Sequence, residues 1–213
     1  MAAVRVRQHV NPLSHKYQTQ IGELDWSTIY QMPSQPLHID IGCAKGYFIS
    51  QMAELTPEWN FLGLEIRAPL VDYALQQRDR QSLKNLHFLF CNANASLAEL
   101  LETLPANTLQ QVSIQFPDPW FKKRHQKRRV VQPELVQALA KTLPVGGRVV
   151  LQSDVEAVAQ EMCDRFSENA MFRRSEAAWL KESPFPAQTD REILTLGKDL
   201  PVYRAIFLKS PFT

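Results

Sequence analysis

A chain of 213 residues, 45% hydrophobic and 22% charged, is large enough to bury a full core in one globular domain and too apolar to stay disordered over most of its length. Its charges nearly cancel, 24 Lys and Arg against 22 Asp and Glu, yet six of the cations lie between 122 and 129 and leave 18 against 22 elsewhere; a generally basic coat is excluded and one local basic patch is not. Three scattered cysteines without a CxxC pair favour neither a disulfide framework nor a metal site, and with no membrane-length apolar run and no apolar stretch after Arg5 and Arg7 the expected home is a reducing cytoplasm.

Pro33 and Pro36 mark a junction between an N-terminal arm, residues 1–35, and a folded body, residues 36–213. From there short apolar strands alternate with helical patterns. PLHIDIG precedes a helix from about Tyr47 to Leu55, NFLGLE a helix after Pro69, and LHFLF a helix near Ser96 to Leu104. A β-rich run, Val112 to Phe116, stops at Pro117 and Pro119; a helix follows Pro133, then GRVVLQS and a helix from about Asp154 to Asn169. Repeated βα units predict a right-handed, doubly wound, mostly parallel sheet with helices on both faces. VYRAIFLK at 202–209, with another strand within 172–179, predicts an antiparallel C-terminal addition and seven strands in all. By analogy of fold, such a tail is usual in S-adenosylmethionine-dependent methyltransferases and unusual in NAD-binding domains.

Ligands of open α/β sheets bind at the carboxyl ends of the strands, so the residues there are the candidates. Asp40 to Gly46 joins the first strand to the first helix, and Gly42 and Gly46 allow a tight turn and close backbone approach. The spacing is not GxGxxG, and Asp40 suits a cationic ammonium better than a diphosphate. Glu65, ending the second strand, is placed to accept both hydrogen bonds of a ribose diol, or is a helix-start carboxylate. Asn92, after the third strand, suits an adenine edge, or caps a loop. Together the three make a coherent nucleoside crevice. After the fourth strand, QFPDPWFKKRHQKRR sets Asp118 beside Lys122, Lys123, Arg124, Lys127, Arg128 and Arg129. That run reads either as a solvated loop or as a phosphate-binding segment acting by Coulomb attraction and counterion release.

These residues closely resemble the tRNA (guanine-N7)-methyltransferases that modify a variable-loop guanosine, tRNA position 46. The resemblance is carried by RVRQHVNPL, DIGCAKGYF, FLGLEIR, FPDPWFKKRHQKRRVVQPE, QSDVE, TDRE and VYRA. It implies S-adenosyl-L-methionine as cofactor and tRNA as partner, with no metal, no required protein partner, and a monomer or homodimer. It further implies that Asp40, Glu65, Asn92 and Asp118 line the cofactor site, with Asp118 the catalytic-site acid. Lys122, Asp154 and the segment Thr189, Asp190, Arg191 and Glu192 would contact the guanosine or its tRNA. The family commonly has a glutamate, a further glycine, an aspartate and an aromatic residue where this chain has Asp40, Ala44, Asn92 and Arg191. On their own, Ser153-Asp154 also reads as a helix N-cap and Thr189 with Glu192 as a capping box. Arg5, Arg7 and His9 are either an RNA-binding arm or a functionless terminus. Asp154 and Glu192 are expected to accept from the guanine N1 and amino protons.

Overall fold

The computed structural model describes residues 10–18 and 21–211, so Arg5, Arg7 and His9 lie outside the described residues. Its strands are β1 (Leu37–Ile41), β2 (Asn60–Glu65), β3 (Leu86–Phe90), β4 (Leu109–Gln115), β5 (Arg148–Ser153), β6 (Phe172–Arg174) and β7 (Tyr203–Lys209). The helices are α1 (Trp26–Ile29), α2 (Tyr47–Leu55), α3 (Ala68–Gln81), α4 (Ala93–Thr103), α5 (Pro133–Thr142), α6 (Glu156–Ser167) and α7 (Asp190–Leu196). One sheet of order β3-β2-β1-β4-β5-β7-β6 results, parallel from β3 to β5, with β7 antiparallel to both its neighbours. The doubly wound α/β class and its antiparallel strand are as predicted. One refinement concerns placement: β7 inserts between β5 and β6 instead of forming the rim.

Strand alternation decides what each face buries. On one face Ile39, Ile41, Leu62, Leu64, Val112, Ile114, Val149, Leu151 and Phe207 join Leu97, Leu100, Leu139, Met162 and Phe166 of α4, α5 and α6. Burying each large side chain of this kind contributes about 1.5–3 kcal/mol. The other face is apolar over β2 and β3, where Phe61 and Phe88 meet Ile49, Met52 and Val71 of α2 and α3. Across β1, β4, β5 and β7 it carries instead His38, Asp40, Gln111, Ser113, Gln115, Gln152 and Arg204, all buried. The register sets Asp40 beside Ser113, Gln115 beside Gln152, and Gln152 beside Arg204, so a polar band crosses four strands. Buried polar groups persist only when hydrogen-bonded, and this band is.

Part of the expected arm belongs to the core. Trp26 and Tyr30 stack at 5.9 Å, the indole donating to the Thr103 carbonyl at 2.7 Å and the phenol to that of Phe61 at 2.9 Å. At the opposite end of the chain, the Lys209 ammonium reaches the carbonyls of Ala140 and Leu143, the C-terminal groups of α5 that lack helical partners. Two expected helix starts move: α4 begins at Ala93, and α6 begins at Glu156 with Val155 at the N-cap. Ser153 Oγ accepts from the Val155 amide at 3.1 Å, so Asp154 is not the cap.

Candidate active site

The turn after β1 is shaped by its glycines. Gly42 and Gly46 have φ of +84° and +75°, and a Cβ on Gly46 would lie 2.4 Å from the Phe88 ring. Ala44 also has positive φ, +51°, a conformation that costs a Cβ-bearing residue roughly 1–2 kcal/mol. In return its amide points at Glu65, donating to Oε2 at 3.0 Å. Glu65, 2% exposed, also accepts from the Arg67 amide at 2.9 Å and from Arg67 Nε and Nη2 at 2.8 and 2.9 Å.

Asp40 is likewise buried, and its Oδ1 receives the Ser113 hydroxyl at 2.6 Å and the Gln115 amide at 3.3 Å. Burial raises its pKa to about 6, and these two hydrogen bonds work against that rise. A carboxylate so dry is best compensated by a cation. Behind it, His38 Nε2 lies 2.8 Å from Ser113 Oγ while Nδ1 faces the Gln111 amide at 3.0 Å. These partners assign the neutral ring with its proton on Nε2, and burial followed by the field of Arg148 holds the pKa near 3. Arg148 Nε in turn donates to Gln111 Oε1.

Asn92 stands at the N-cap position of α4, but its side chain makes no cap bond. The expected adenine-edge donor is engaged elsewhere: Nδ2 donates to the carbonyls of Pro12 at 2.9 Å and Tyr17 at 3.1 Å, tying residues 10–18 to the cleft. Asp118 occupies the loop after β4, bracketed by Phe116 and Trp120 at φ of +47° and +41°. Two non-glycine residues in that region store strain, as loops at functional sites often do. The brace is the end of the basic segment. Arg128 lies over the Trp120 ring at 4.9 Å, and Arg129 donates to the Pro119 carbonyl at 2.7 Å and pairs with Glu161. Both were expected to bind tRNA backbone; the structure gives them internal partners. Lys122, Lys123, Arg124 and Lys127 stay exposed on or beside the 3-10 turn Lys123–Arg128.

Two cavities meet over these residues. One of about 150 Å³ lies among Glu65, Asn92 and Asp118, with Val10, Pro12 and Trp120 on its walls. The other, about 580 Å³, lies among Asp40, Phe48, Thr189, Asp190 and Arg191. Gly42, Arg67, Gln115 and Phe116 border both. Residues from the ends of β1, β2, β3 and β4 and the start of α7 therefore share one cleft. Glu192 is an exception among the expected substrate residues. It is 1% exposed, with Oε1 held by Arg204 at 2.6 Å and Oε2 by Gln152 at 3.1 Å, so it faces the polar band and not the cavity. Asp154 is paired with Arg191, whose Nη2 lies 2.5 Å away. Of the capping box only half forms, Thr189 Oγ1 accepting from the Glu192 amide at 3.0 Å. No cluster of three metal-ligating side chains occurs among the described residues, and no described helix is long and apolar enough to cross a membrane.

The residues that sequence reasoning passed over are Arg67, Gln115, Gln152 and Arg204. For the strand residues among them the signal was polar positions inside apolar strands: Gln111, Ser113 and Gln115 in LQQVSIQ, Gln152 in RVVLQS, and Arg204 in VYRAIFLK. A strand buried on both faces ordinarily reads as continuously apolar.

A family model described as "Putative methyltransferase" matches residues 34–205. A tRNA (guanine-N(7)-)-methyltransferase of Trichormus variabilis is 60% identical over 205 residues, covering 96% of this chain and 95% of the relative. One of the same name from Synechococcus elongatus is 58% identical, covering 99% of each. Among solved structures, the 16S rRNA methyltransferase KamB superposes with a TM-score of 0.59 at 14% identity over 85% of this chain and 92% of that one. Precorrin-6y C5,15-methyltransferase from Geobacter metallireducens gives 0.54 at 14% identity, covering 86% and 85%. These two likenesses concern the fold. With the cleft, the family match and the full-length relatives taken together, the chain belongs to the tRNA (guanine-N7)-methyltransferase family.

Proposed function

We propose that the protein methylates N7 of a guanine in tRNA, the variable-loop guanosine at position 46, using S-adenosyl-L-methionine. The observation that carries this reading is the position of Asp118, on the wall of the carboxylate-lined cleft and four residues before a segment, 122–127, with four exposed cations. The cleft suits the cofactor chemically. A dry Asp40 with a raised pKa calls for a cation, Glu65 offers two acceptor oxygens to a ribose diol, and Asn92 borders the smaller cavity where an adenine would lie. When bound, S-adenosyl-L-methionine supplies an electrophilic methyl group on a sulfonium.

Guanine N7 carries a free lone pair, so no residue need act as a general base. The chain's task is alignment, and well-oriented reactants gain roughly 7–11 kcal/mol from it. In this reading Asp118 orients the base and favours the cationic product. Thr189, Asp190 and Arg191 border the guanosine, with Arg191 held by Asp154, while Lys122, Lys123, Arg124 and Lys127 meet phosphates. Glu192 acts as a positioning residue, fixing α7 through Arg204 and Gln152. The RNA-contacting arm would lie within residues 1–35, ahead of Trp26 and Tyr30, which pack into the methyltransferase domain formed with 36–213; the protein would work as a monomer or homodimer in the cytoplasm.

The test is incubation of purified protein with methyl-labelled S-adenosyl-L-methionine and an unmodified tRNA transcript, followed by nucleoside analysis. N7-methylguanosine is expected, and it should vanish when guanosine 46 is replaced by adenosine. Persistent label on the altered transcript would move the site while keeping the reaction. Label in another nucleoside would sink the N7 assignment.

A further inference from the structure

Among the described residues Phe121 is the most exposed large apolar side chain, at 73%, and it stands among charges: Lys122, Lys123 and Arg124 follow it, all exposed. A ring left in water forgoes the burial that ordinarily holds an aromatic side chain in place. The loop beneath it is nevertheless braced. Its backbone bends through positive φ at Trp120, and the Pro119 carbonyl accepts from Arg129. Arg128 lies over the Trp120 ring, and His125 packs perpendicular to that ring at 5.6 Å. The two neighbouring aromatics are thereby put to different uses. Trp120 is on the wall of the smaller cavity, whereas Phe121 borders neither cavity.

The surroundings of Phe121 specify its partner. A strip of cations attracts phosphates whatever the base sequence. An aromatic face beside such a strip stacks on unpaired bases, the pairing by which single-stranded nucleic acid is held. A base becomes available here because a guanosine entering the cleft leaves its stack, and the nucleotides beside it lose a neighbour. The target guanine goes to Asp118 inside the cavity, so a ring outside both cavities meets an adjacent base. We propose that Phe121 is a stacking platform for a nucleotide next to the target guanosine. It is a substrate-positioning residue in this scheme, which rests on the proposed function and adds a base contact to the phosphate contacts of that segment. With the loop already braced, little order remains to be imposed when the base arrives.

The experiment measures tRNA binding over a range of salt, with S-adenosylhomocysteine present, for the wild type, Phe121→Ala, Phe121→Leu and Phe121→Trp. Phe121→Ala should weaken binding about tenfold and leave the log–log salt slope unchanged, because no charge is lost. Phe121→Trp should bind as tightly as the wild type or more tightly. Phe121→Leu keeps the apolar bulk without a flat face and should resemble Phe121→Ala. Transcripts carrying the fluorescent base 2-aminopurine on one side or the other of the target guanosine locate the contact. At one of these two positions the bound wild type should quench the emission more than bound Phe121→Ala does. S-adenosylhomocysteine alone should bind all four proteins equally, and a loss of that affinity in Phe121→Ala would make the ring a support of the cleft and overturn the proposal. It is equally overturned by unchanged tRNA affinity in Phe121→Ala, by Phe121→Leu matching Phe121→Trp, or by equal quenching at both positions. Altered sedimentation of Phe121→Ala with tRNA binding intact would assign the ring to a contact between copies of the chain instead. Failure of the underlying function would show separately, as wild-type protein that forms no N7-methylguanosine in the nucleoside analysis.

Discussion

At Asp40 the same carboxyl group burdens the fold and suits a cationic ligand. Its folded pKa of about 6 stands above the ordinary 3.8. Between those two values the folded protein holds a proton that the unfolded chain has released, so this group's contribution to stability falls as pH rises from about 4 to about 6. Above pH 6 the penalty is complete, no more than about 3 kcal/mol. Asp40→Asn should therefore raise the Tm of the ligand-free protein at pH 7, with the difference disappearing below pH 4, while the stabilisation given by S-adenosylhomocysteine shrinks. Equal Tm values at pH 7 would place Asp40 in a wetter setting than its burial indicates. The places of Asp40 and Glu65 in the cleft were legible in the sequence because strand ends in a βα repeat line the crevice of an open sheet. The Arg67 bond to Glu65 was not, because a cation two residues beyond a strand looks like the start of a helix. The neighbours that dry Asp40 also come from elsewhere in the chain, Ser113 and Gln115 from β4.

α7 has only seven residues, two of them in the cleft beside a third at its N-cap, Thr189, with Ile193, Leu194 and Leu196 exposed to solvent. Intrinsic propensity and burial give such a helix little. What holds it is the Glu192–Arg204 ion pair, 1% and 4% exposed, extended through Gln152 to β5. Removing one member of a buried pair typically costs 3–5 kcal/mol. Arg204→Met should thus lower Tm and reduce kcat/KM for tRNA. Adding Glu192→Gln to it should restore part of the lost stability, as calorimetry of the single and double variants would show. Independent, additive losses would mean that the two side chains act separately. Helix and strand existence was readable from periodicity nearly throughout, whereas the extent of β6 was not. Phe172–Arg174 pair with β7 in register; beyond them the Ser175 and Leu180 amides still donate to the Ile206 and Arg204 carbonyls at 2.9 and 3.0 Å, and Trp179 packs edge-on against Tyr203 at 5.6 Å. Sequence alternation does not reveal where a partner strand stops.

Over the whole molecule the near-zero balance conceals how few cations are available to a polyanion. Six were counted in the loop from sequence, but Arg128 and Arg129 brace the Asp118 loop and four remain exposed. If those four are the main phosphate contacts, tRNA affinity should fall with salt at a log–log slope of roughly −3 to −4. Lys123→Glu with Arg124→Glu should flatten that slope and weaken tRNA binding without changing cofactor affinity. A slope unaltered by the double reversal would remove this segment from the interface.

The insertion of β7 sets the order in which the site is finished. A growing chain makes β1 to β5 first, and with them Asp40, Glu65, Asn92 and Asp118; domains and their parts tend to organise as they emerge during synthesis. β6 is made next but has no ladder partner until β7 arrives to lie between it and β5. Arg204, carried by β7, is also the anchor of α7. The strand ends that carry Asp40, Glu65, Asn92 and Asp118 are thus synthesised well before Arg204, and a nascent chain stalled short of Arg204 lacks the partner that anchors Glu192 and, with it, the start of α7.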